Sequence, residues 1–433
     1  MKLFRTLISW EKALQTVLRH VPRMAIEEIR FEDALNRVLA EDIRSPIDSP
    51  PFDRAAMDGY AIRGEDSFGA SPDKPVMLRL TRSSVERGGQ KEEGEEEEEE
   101  EEAEEAVEVA AGECFPIATG MPLPKGTNAV IMLEYTKQRE DLVELFKPVT
   151  PGKNVSLKGE DVKKGEVVLH AGKILRAHDL GMLASLFQRT VRVYKRAEIG
   201  IIATGDELID PSAVQSPGHE QRTRHQKIAD ANSYTLAALT QPIANPHRMG
   251  IVPDRYEAVK NALWSSCDEY AVLFVSGGSS VGTRDYLADA VEELGELLFH
   301  GVAIRPGEPT GFGMINSKHS KPVFLLPGYP VATIAAFELL VRPFLSAMHG
   351  VKDARITILA HASHKIPSAV GRTDFVRVKL HRTDRGYSAE PVRATGSGIL
   401  SSMTRSDGFV IIPEHKEGIE AGELVEVTEY SSW

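Results

Sequence analysis

Cysteine is nearly absent from this chain: among 433 residues only Cys114 and Cys267 occur, far apart and outside any metal-ligand spacing. Two thiols so placed exclude a disulfide framework and speak against a structural zinc site, which fits a reducing compartment. The sequence also lacks any run of about 18 consecutive apolar residues, so no membrane span is expected. Met1 to Arg5 carry a brief apolar stretch that Glu11 and Lys12 soon interrupt. No small-residue cleavage site follows, and a signal peptide is not expected. These absences make cytoplasm the expected location.

A basic domain is missing as well. The formal net charge is −13, yet the stretch from Glu92 to Glu108 alone holds thirteen Glu, so the rest of the chain is close to neutral. Nucleic acid is therefore not the expected partner. Like charges at that density repel one another, which predicts a solvated loop over about 90–110.

An apolar content of 42% and a charged content of 27% suit a globular protein, and the length allows for about three or four domains. Residues 1 to 48 read as mainly helical, with apolar positions at Leu14, Val17 and Leu18 and again at Ala34, Leu35, Val38 and Leu39. Pro46, Pro50 and Pro51 end that pattern and open a β-rich segment over 49–151. Residues 152 to 190 return to turns and one short helix (His178 to Phe187). From 191 to 349 strand-like and helix-like runs alternate, the pattern of a mostly parallel sheet covered on both faces. After 350 the chain is β-rich again and suggests a small barrel or sandwich.

Three polar clusters follow strands of the alternating segment, at the sheet edge where ligands bind in such folds. The first is Thr204-Gly205-Asp206-Glu207, a tight turn carrying two acids. The second runs from Ser276 through Gly277, Gly278, Ser279, Ser280, Val281 and Gly282 to Asp285, between a strand and a helix. Its backbone N–H groups would suit an anion at a helix N-terminus. The third is Leu326-Pro327-Gly328-Tyr329-Pro330, a stiff turn with Pro330 at the first helical position. Upstream of it stands Arg305-Pro306-Gly307-Glu308. Taken alone, each cluster also fits an ordinary connector or a helix-capping acid. Together, Asp206, Glu207, Asp254 and Asp285 would suit a Mg²⁺ ion bridging a phosphate ester. The histidines are scattered and form no nucleophile–base arrangement.

Several longer motifs then stand in one order. They are Pro51-Phe52-Asp53 through Met57-Asp58-Gly59-Tyr60-Ala61, Ala118-Thr119-Gly120-Met121-Pro122, Lys158-Gly159-Glu160-Asp161, Asp230-Ala231-Asn232, Gly371-Arg372-Thr373-Asp374-Phe375, and Gly396-Ser397-Gly398 through Asp407-Gly408. With the three strand-end clusters they resemble the MoeA family, which includes the C-terminal domain of gephyrin, over essentially the whole chain. The resemblance implies a multidomain α/β plus β architecture. Residues 1–48 and 152–190 would form a discontinuous helical linker domain and 49–151 an inserted β-rich domain. Residues 191–349 would form a MogA/MoaB-like α/β domain and 350–433 a C-terminal β-barrel-like domain. It also implies a homodimer whose cleft is shared between the α/β domain and the partner's inserted domain.

The implied reaction joins molybdate to adenylylated molybdopterin with release of AMP, using Mg²⁺ or Zn²⁺. A MogA/MoaB-type adenylyltransferase would supply the substrate and molybdoenzymes would accept the product. By motif position, Asp58, Thr119, Asp161, Asp206, Glu207 and Asp285 are the catalytic candidates, and Asp206, Glu207, Asp254 and Asp285 the metal ligands. Gly277, Gly278, Ser279, Ser280, Gly282, Pro327, Gly328 and Pro330 would hold the nucleotide or pterin phosphate. Arg305, Arg372 and Ser397 would meet the oxyanion, because guanidinium and hydroxyl donors match a small tetrahedral anion.

The chain departs from the family pattern at Glu308, where a lysine is usual, and at Tyr329, where asparagine is usual. Ala231 and Ser233 alter an Asp-Ser-Asn-Arg stretch. Carboxylate beside molybdate is repulsive, which supports a pterin-binding scaffold without the transfer step as one alternative expectation. A tungstate-preferring insertase is the other. A lone MogA/MoaB-type domain or a CinA-like pyrophosphatase would not account for the motifs before 190 and after 350.

Overall fold

The computed structural model describes residues 7–81, 107–213, 227–277, 286–351, 355–392 and 398–430. The acid-rich run expected as a solvated loop falls mostly outside these residues. The chain divides into two compact units, one of Met1–Glu41, Ala171–Leu180 and Arg189–Trp433, the other of Asp42–His170 and Gly181–Gln188.

In the first unit the alternating segment folds as expected. It contains β1 (Glu198–Thr204), α1 (Asn232–Thr240), β2 (Asn245–Val252), α2 (Tyr256–Ser266), β3 (Val272–Ser276), α3 (Tyr286–Leu294), β4 (Gly295–His300), β5 (Gly311–Asn316) and β6 (Ser320–Leu326). The sheet order is β2-β1-β3-β6-β5-β4. The first four strands run parallel, while β5 and β4 add an antiparallel hairpin at one edge. That hairpin has no clear sequence signal, because Gly295, Gly311 and Gly313 dilute its strand propensity. Every residue of β3 is buried, which explains its unbroken Val-Leu-Phe-Val run: a parallel strand is covered on both faces.

The core beneath this sheet is aromatic. The Phe324 ring lies 4.8 Å from Phe312, 5.2 Å from Phe344 and 5.8 Å from Phe274, centroid to centroid. Phe344 comes from the helical segment Pro330–Met348, which Pro330 opens at its first turn and which contains a π-helical turn over Phe337–Val341. This segment is apolar and long enough to cross a membrane, but it is 89% buried inside the fold and serves as a core helix. An N-terminal helix, Trp10–Arg19, buries Ala13 and Val17 in the same core, and its Trp10 Nε1 donates to the Leu339 carbonyl at 3.2 Å.

The second helical pattern read in residues 34–39 is not a helix. Asn36 has φ of 60°, and Val38 and Leu39 form isolated bridges to Ile174 and Val193. Both are buried as extended chain, so their spacing reflects two neighbouring strands instead of one helix face. Just upstream, Ile26–Arg30 pairs antiparallel with Thr190–Tyr194. Before α1 the chain is extended, since Ile228–Ala229 is a short strand and the helix starts at Asn232.

The C-terminal segment is a closed barrel. Its strands are β7 (Thr357–Ala362), β8 (Thr373–Thr383), β9 (Gly386–Pro391), β10 (Gly408–Ile412) and β11 (Leu424–Glu429). They run β8-β9-β7-β11-β10, and β10 pairs back onto β8. Closure removes the exposed edges that an open sheet of this size would present. A short strand, Ile304–Arg305, pairs in parallel with the start of β8, so the α/β segment and the barrel share one ladder.

The second unit is built on a six-stranded sheet in the order Ala129–Met132, Gly59–Ile62, Glu113–Ile117, Val76–Leu80, Leu142–Leu145 and Thr136–Arg139. Gly59 is demanded by close approach, since a Cβ there would lie 1.9 Å from the Ile131 carbonyl oxygen.

Candidate active site

Three strand ends of the α/β segment carry the first group of candidate residues. β1 ends at Thr204, β3 at Ser276 and β6 at Leu326, all on neighbouring parallel strands. Gly277 follows β3 with φ of 137°, and a Cβ there would stand 2.2 Å from both the carbonyl and the hydroxyl oxygen of Thr204. Only glycine lets these two strand ends approach so closely.

Asn232, in the first turn of α1, ties the ends together. Its Nδ2 donates to the Ser276 hydroxyl at 2.8 Å and to the Gly328 carbonyl at 2.8 Å. Asp230 holds that turn by accepting from the Ser233 amide at 3.0 Å and from the Ser233 hydroxyl. The Pro327-Gly328-Tyr329-Pro330 turn is fixed from the other side by the Thr333 hydroxyl, which donates to the Pro327 and Tyr329 carbonyls. Sequence reasoning gave Pro327, Gly328 and Pro330 a binding role but named Asn232 only within the Asp230-Ala231-Asn232 motif, with no role of its own. The available signal was its place in the first turn of a helix that follows Asp230.

The acids sit on the same edge. Asp206 and Glu207 are exposed directly after β1, and the Asp254 amide after β2 donates to Asp206 Oδ1 at 3.3 Å. Burial, then the Glu207 and Asp206 charges, raise the Asp254 carboxyl above its ordinary range. Three carboxylates that repel one another have the hard-oxygen chemistry that suits a divalent cation. Among the described residues, however, no three His, Cys, Asp or Glu side chains converge as a metal-holding group. Gly278, Ser279, Ser280, Gly282, Asp285 and Ser397 lie outside the described residues.

A polar web supports α1 from behind. Asp210 accepts from the Ser212 hydroxyl (2.7 Å) and amide (2.8 Å), from the Tyr234 hydroxyl (2.9 Å) and from Arg248 Nη2 (2.7 Å). The Arg248 guanidinium also stacks 3.4 Å from the Tyr234 ring centre, and its Nε donates to Ser233 at 3.1 Å. The Ser212 bonds, more than the others, hold the Asp210 carboxyl down to about 2. A depressed acid contributes stability that is present above its unfolded pKa near 4 and is lost as pH falls through the folded value. Asp210→Asn is therefore expected to flatten the loss of thermal stability between about pH 4 and pH 2. Parallel melting curves for variant and wild type across that window would refute the assignment.

The two arginines assigned to the oxyanion are each engaged by a carboxylate. Arg305 forms a two-pronged pair with Asp374, with Nε at 2.8 Å from Oδ1. Arg372 Nη1 lies 2.7 Å from Glu308 Oε2. Glu308, noted in the sequence as a reversal of charge, thus stands opposite a cation that the motif itself supplies. Neither pair had a sequence signal.

In the other unit, Asp58 and Thr119 come together. Asp58 Oδ1 accepts from the Thr119 amide at 2.7 Å and from its hydroxyl at 2.8 Å, and these bonds lower the exposed carboxyl below its usual range. Their two motifs are stitched by backbone bonds from Gly120 to Ala55, Ala55 to Met121 and Leu123 to Asp53. Asp53 Oδ1 also accepts from the Lys158 amide at 2.7 Å, which draws in the motif containing Asp161. Asp161 is exposed, and its own amide donates to the Ser49 carbonyl at 3.1 Å. Phe52, Met57 and Met121 are left exposed on these motifs, as is Leu157 just before Lys158.

Comparison with known proteins now adds to this geometry. The MoeA N-terminal region (domain I and II) matches residues 8–187, the "Probable molybdopterin binding domain" matches 200–347, and the MoeA C-terminal region (domain IV) matches 360–430. A Methanocaldococcus jannaschii protein named for molybdopterin biosynthesis is 40% identical over 99% of this chain and 99% of its own length. A molybdopterin molybdenumtransferase of Haemophilus influenzae is 31% identical over 98% of this chain and 99% of its own. The crystal structure of the Pyrococcus horikoshii molybdopterin biosynthesis moeA protein superposes with a TM-score of 0.79 at 35% identity, covering 98% of this chain and 100% of that one.

Proposed function

The chain belongs to the MoeA family, and from that premise we propose that it is a molybdopterin molybdenumtransferase acting in molybdenum cofactor biosynthesis. The substrates on this reading are adenylylated molybdopterin and molybdate, and the products are the molybdenum-loaded pterin and AMP. End-to-end likeness to proteins bearing that name is the observation that carries the reading, because it includes both units and not the α/β segment alone.

The chain's residues then take the following roles. The strand-end turns at Gly277 and Gly328, locked by Asn232, seat the phosphate and pterin end of the substrate against backbone N–H groups. Gly278, Ser279, Ser280 and Gly282 are assigned to the same phosphate, and Pro327 and Pro330 keep the turn at Gly328 stiff. Asp206, Glu207 and Asp254, with Asp285, would hold Mg²⁺ or Zn²⁺. When bound, that ion supplies positive charge against the phosphate oxygens. Arg372 and Ser397 are assigned to the oxyanion, while Arg305 is held by Asp374. Asp58, kept ionised by Thr119, and Asp161 are assigned to orienting substrate. Exposed Phe52, Met57, Met121 and Leu157, in the same unit as Asp58, support a homodimer that covers them.

A second reading is a pterin-binding scaffold without the transfer step, favoured by the carboxylate already seated on Arg372. One experiment separates them: AMP release from adenylylated molybdopterin by the purified protein with Mg²⁺, with and without molybdate or tungstate. Release stimulated by oxyanion, together with active cofactor, is the expected result, and the more effective anion identifies the natural one. Tight pterin binding without release would replace the transferase by the scaffold.

A further inference from the structure

Two arginine–carboxylate pairs, Arg305–Asp374 and Arg372–Glu308, join residues 304–308 to residues 372–374 near the start of β8, and their carboxylates are held very differently. Asp374, opposite Arg305, has a side chain only 4% exposed. It takes two bonds from Arg305 and a third from the Ser368 hydroxyl at 2.9 Å. Arg305 is 47% exposed, but releasing it would strand the buried Asp374 carboxylate, so this pair is kept. Glu308, opposite Arg372, is 26% exposed while Arg372 is 44% exposed, and their contact is a single Nη1–Oε2 approach of 2.7 Å. An ion pair that open to water is weak and readily exchanged.

We propose that Glu308 is an internal competitor that occupies Arg372 in the resting protein and is displaced by a tetrahedral oxyanion dianion. The proposal rests on the reading of Arg372 as an oxyanion contact given above. A carboxylate offers a guanidinium the same pair of acceptor oxygens as one edge of molybdate, tungstate or sulfate, so both bind the same donors and cannot do so together. Displacing Glu308 also leaves its charge near the incoming dianion, which penalises weakly held anions further. Glu308 thereby sets a threshold for the oxyanion, while Arg305 stays structural because Asp374 is not released.

The test is direct binding of molybdate, and separately of sulfate, to the full chain by isothermal titration in the absence of pterin, so that it does not depend on turnover. Glu308→Gln keeps the shape and removes the charge, and is expected to bind molybdate about tenfold more tightly than wild type, or roughly 1.4 kcal/mol. Glu308→Asp keeps a competitor and should stay within a few-fold of wild type. Adding Arg372→Gln to Glu308→Gln should erase the gain, and raising salt should narrow it. Equal affinity of wild type and Glu308→Gln overturns the proposal. So does a gain that survives loss of Arg372, or an absence of binding in every form. Failure of AMP release in the wild type with the binding pattern intact would instead remove the transferase reading and leave the oxyanion threshold standing.

Discussion

Asp58→Asn is expected to cut oxyanion-stimulated AMP release by roughly 100-fold or more, the usual cost of losing one pre-oriented charged group in an active site. The substitution is conservative for the fold. Asn retains an acceptor for the Thr119 amide and hydroxyl, both of which bond to Oδ1 in the native side chain. Only the charge and the second acceptor oxygen are lost. Asp58 is exposed and its carboxyl is held below the ordinary range by these bonds, so at neutral pH the wild type always presents an anion there. Stability should change by no more than about 0.5 kcal/mol, as for a surface position. A variant within threefold of wild-type turnover would remove Asp58 from the mechanism.

Phe324→Ala has the largest expected effect on stability. Phe324 is fully buried in β6 and packs its ring against Phe274, Phe312 and Phe344, joining sheet to helix at one point. Truncation leaves a cavity walled by three rings that cannot collapse together, and should cost about 3–5 kcal/mol. The same strand delivers Leu326 to the Pro327-Gly328 turn, so the variant should also lose AMP release at temperatures where it remains folded. Denaturant unfolding checks the first part, and a loss under about 1 kcal/mol would show that the aromatic cluster is more adaptable than its geometry implies.

Much of the fold is legible in the amino-acid sequence. The unbroken apolar run of β3, Gly277 directly after it and Pro330 at the start of a long helix are local signals. Each is imposed by the backbone of the residue that carries it. The misreadings have an equally local cause. Ala34 to Leu39 show helical spacing, but burial of Val38 and Leu39 between other strands outweighs a propensity worth only tenths of a kcal/mol per residue. The β4–β5 hairpin was hidden because its glycines are there for close approach and not for strand preference.

The sequence by itself determined the family, the strand–helix alternation and the motifs that hold the candidate residues. These depend on residue types at short spacing, where chain connectivity already brings the groups together. Tertiary structure alone decided that Asn232 bonds groups 44 and 96 residues away, that Asp58 is held by Thr119 from 61 residues away, and that Arg372 is already occupied by Glu308. Such contacts carry no local signature, because a hydrogen bond or ion pair across a folded core depends on where two distant backbones converge. That convergence is set by burial of the core as a whole, not by the residues that happen to meet.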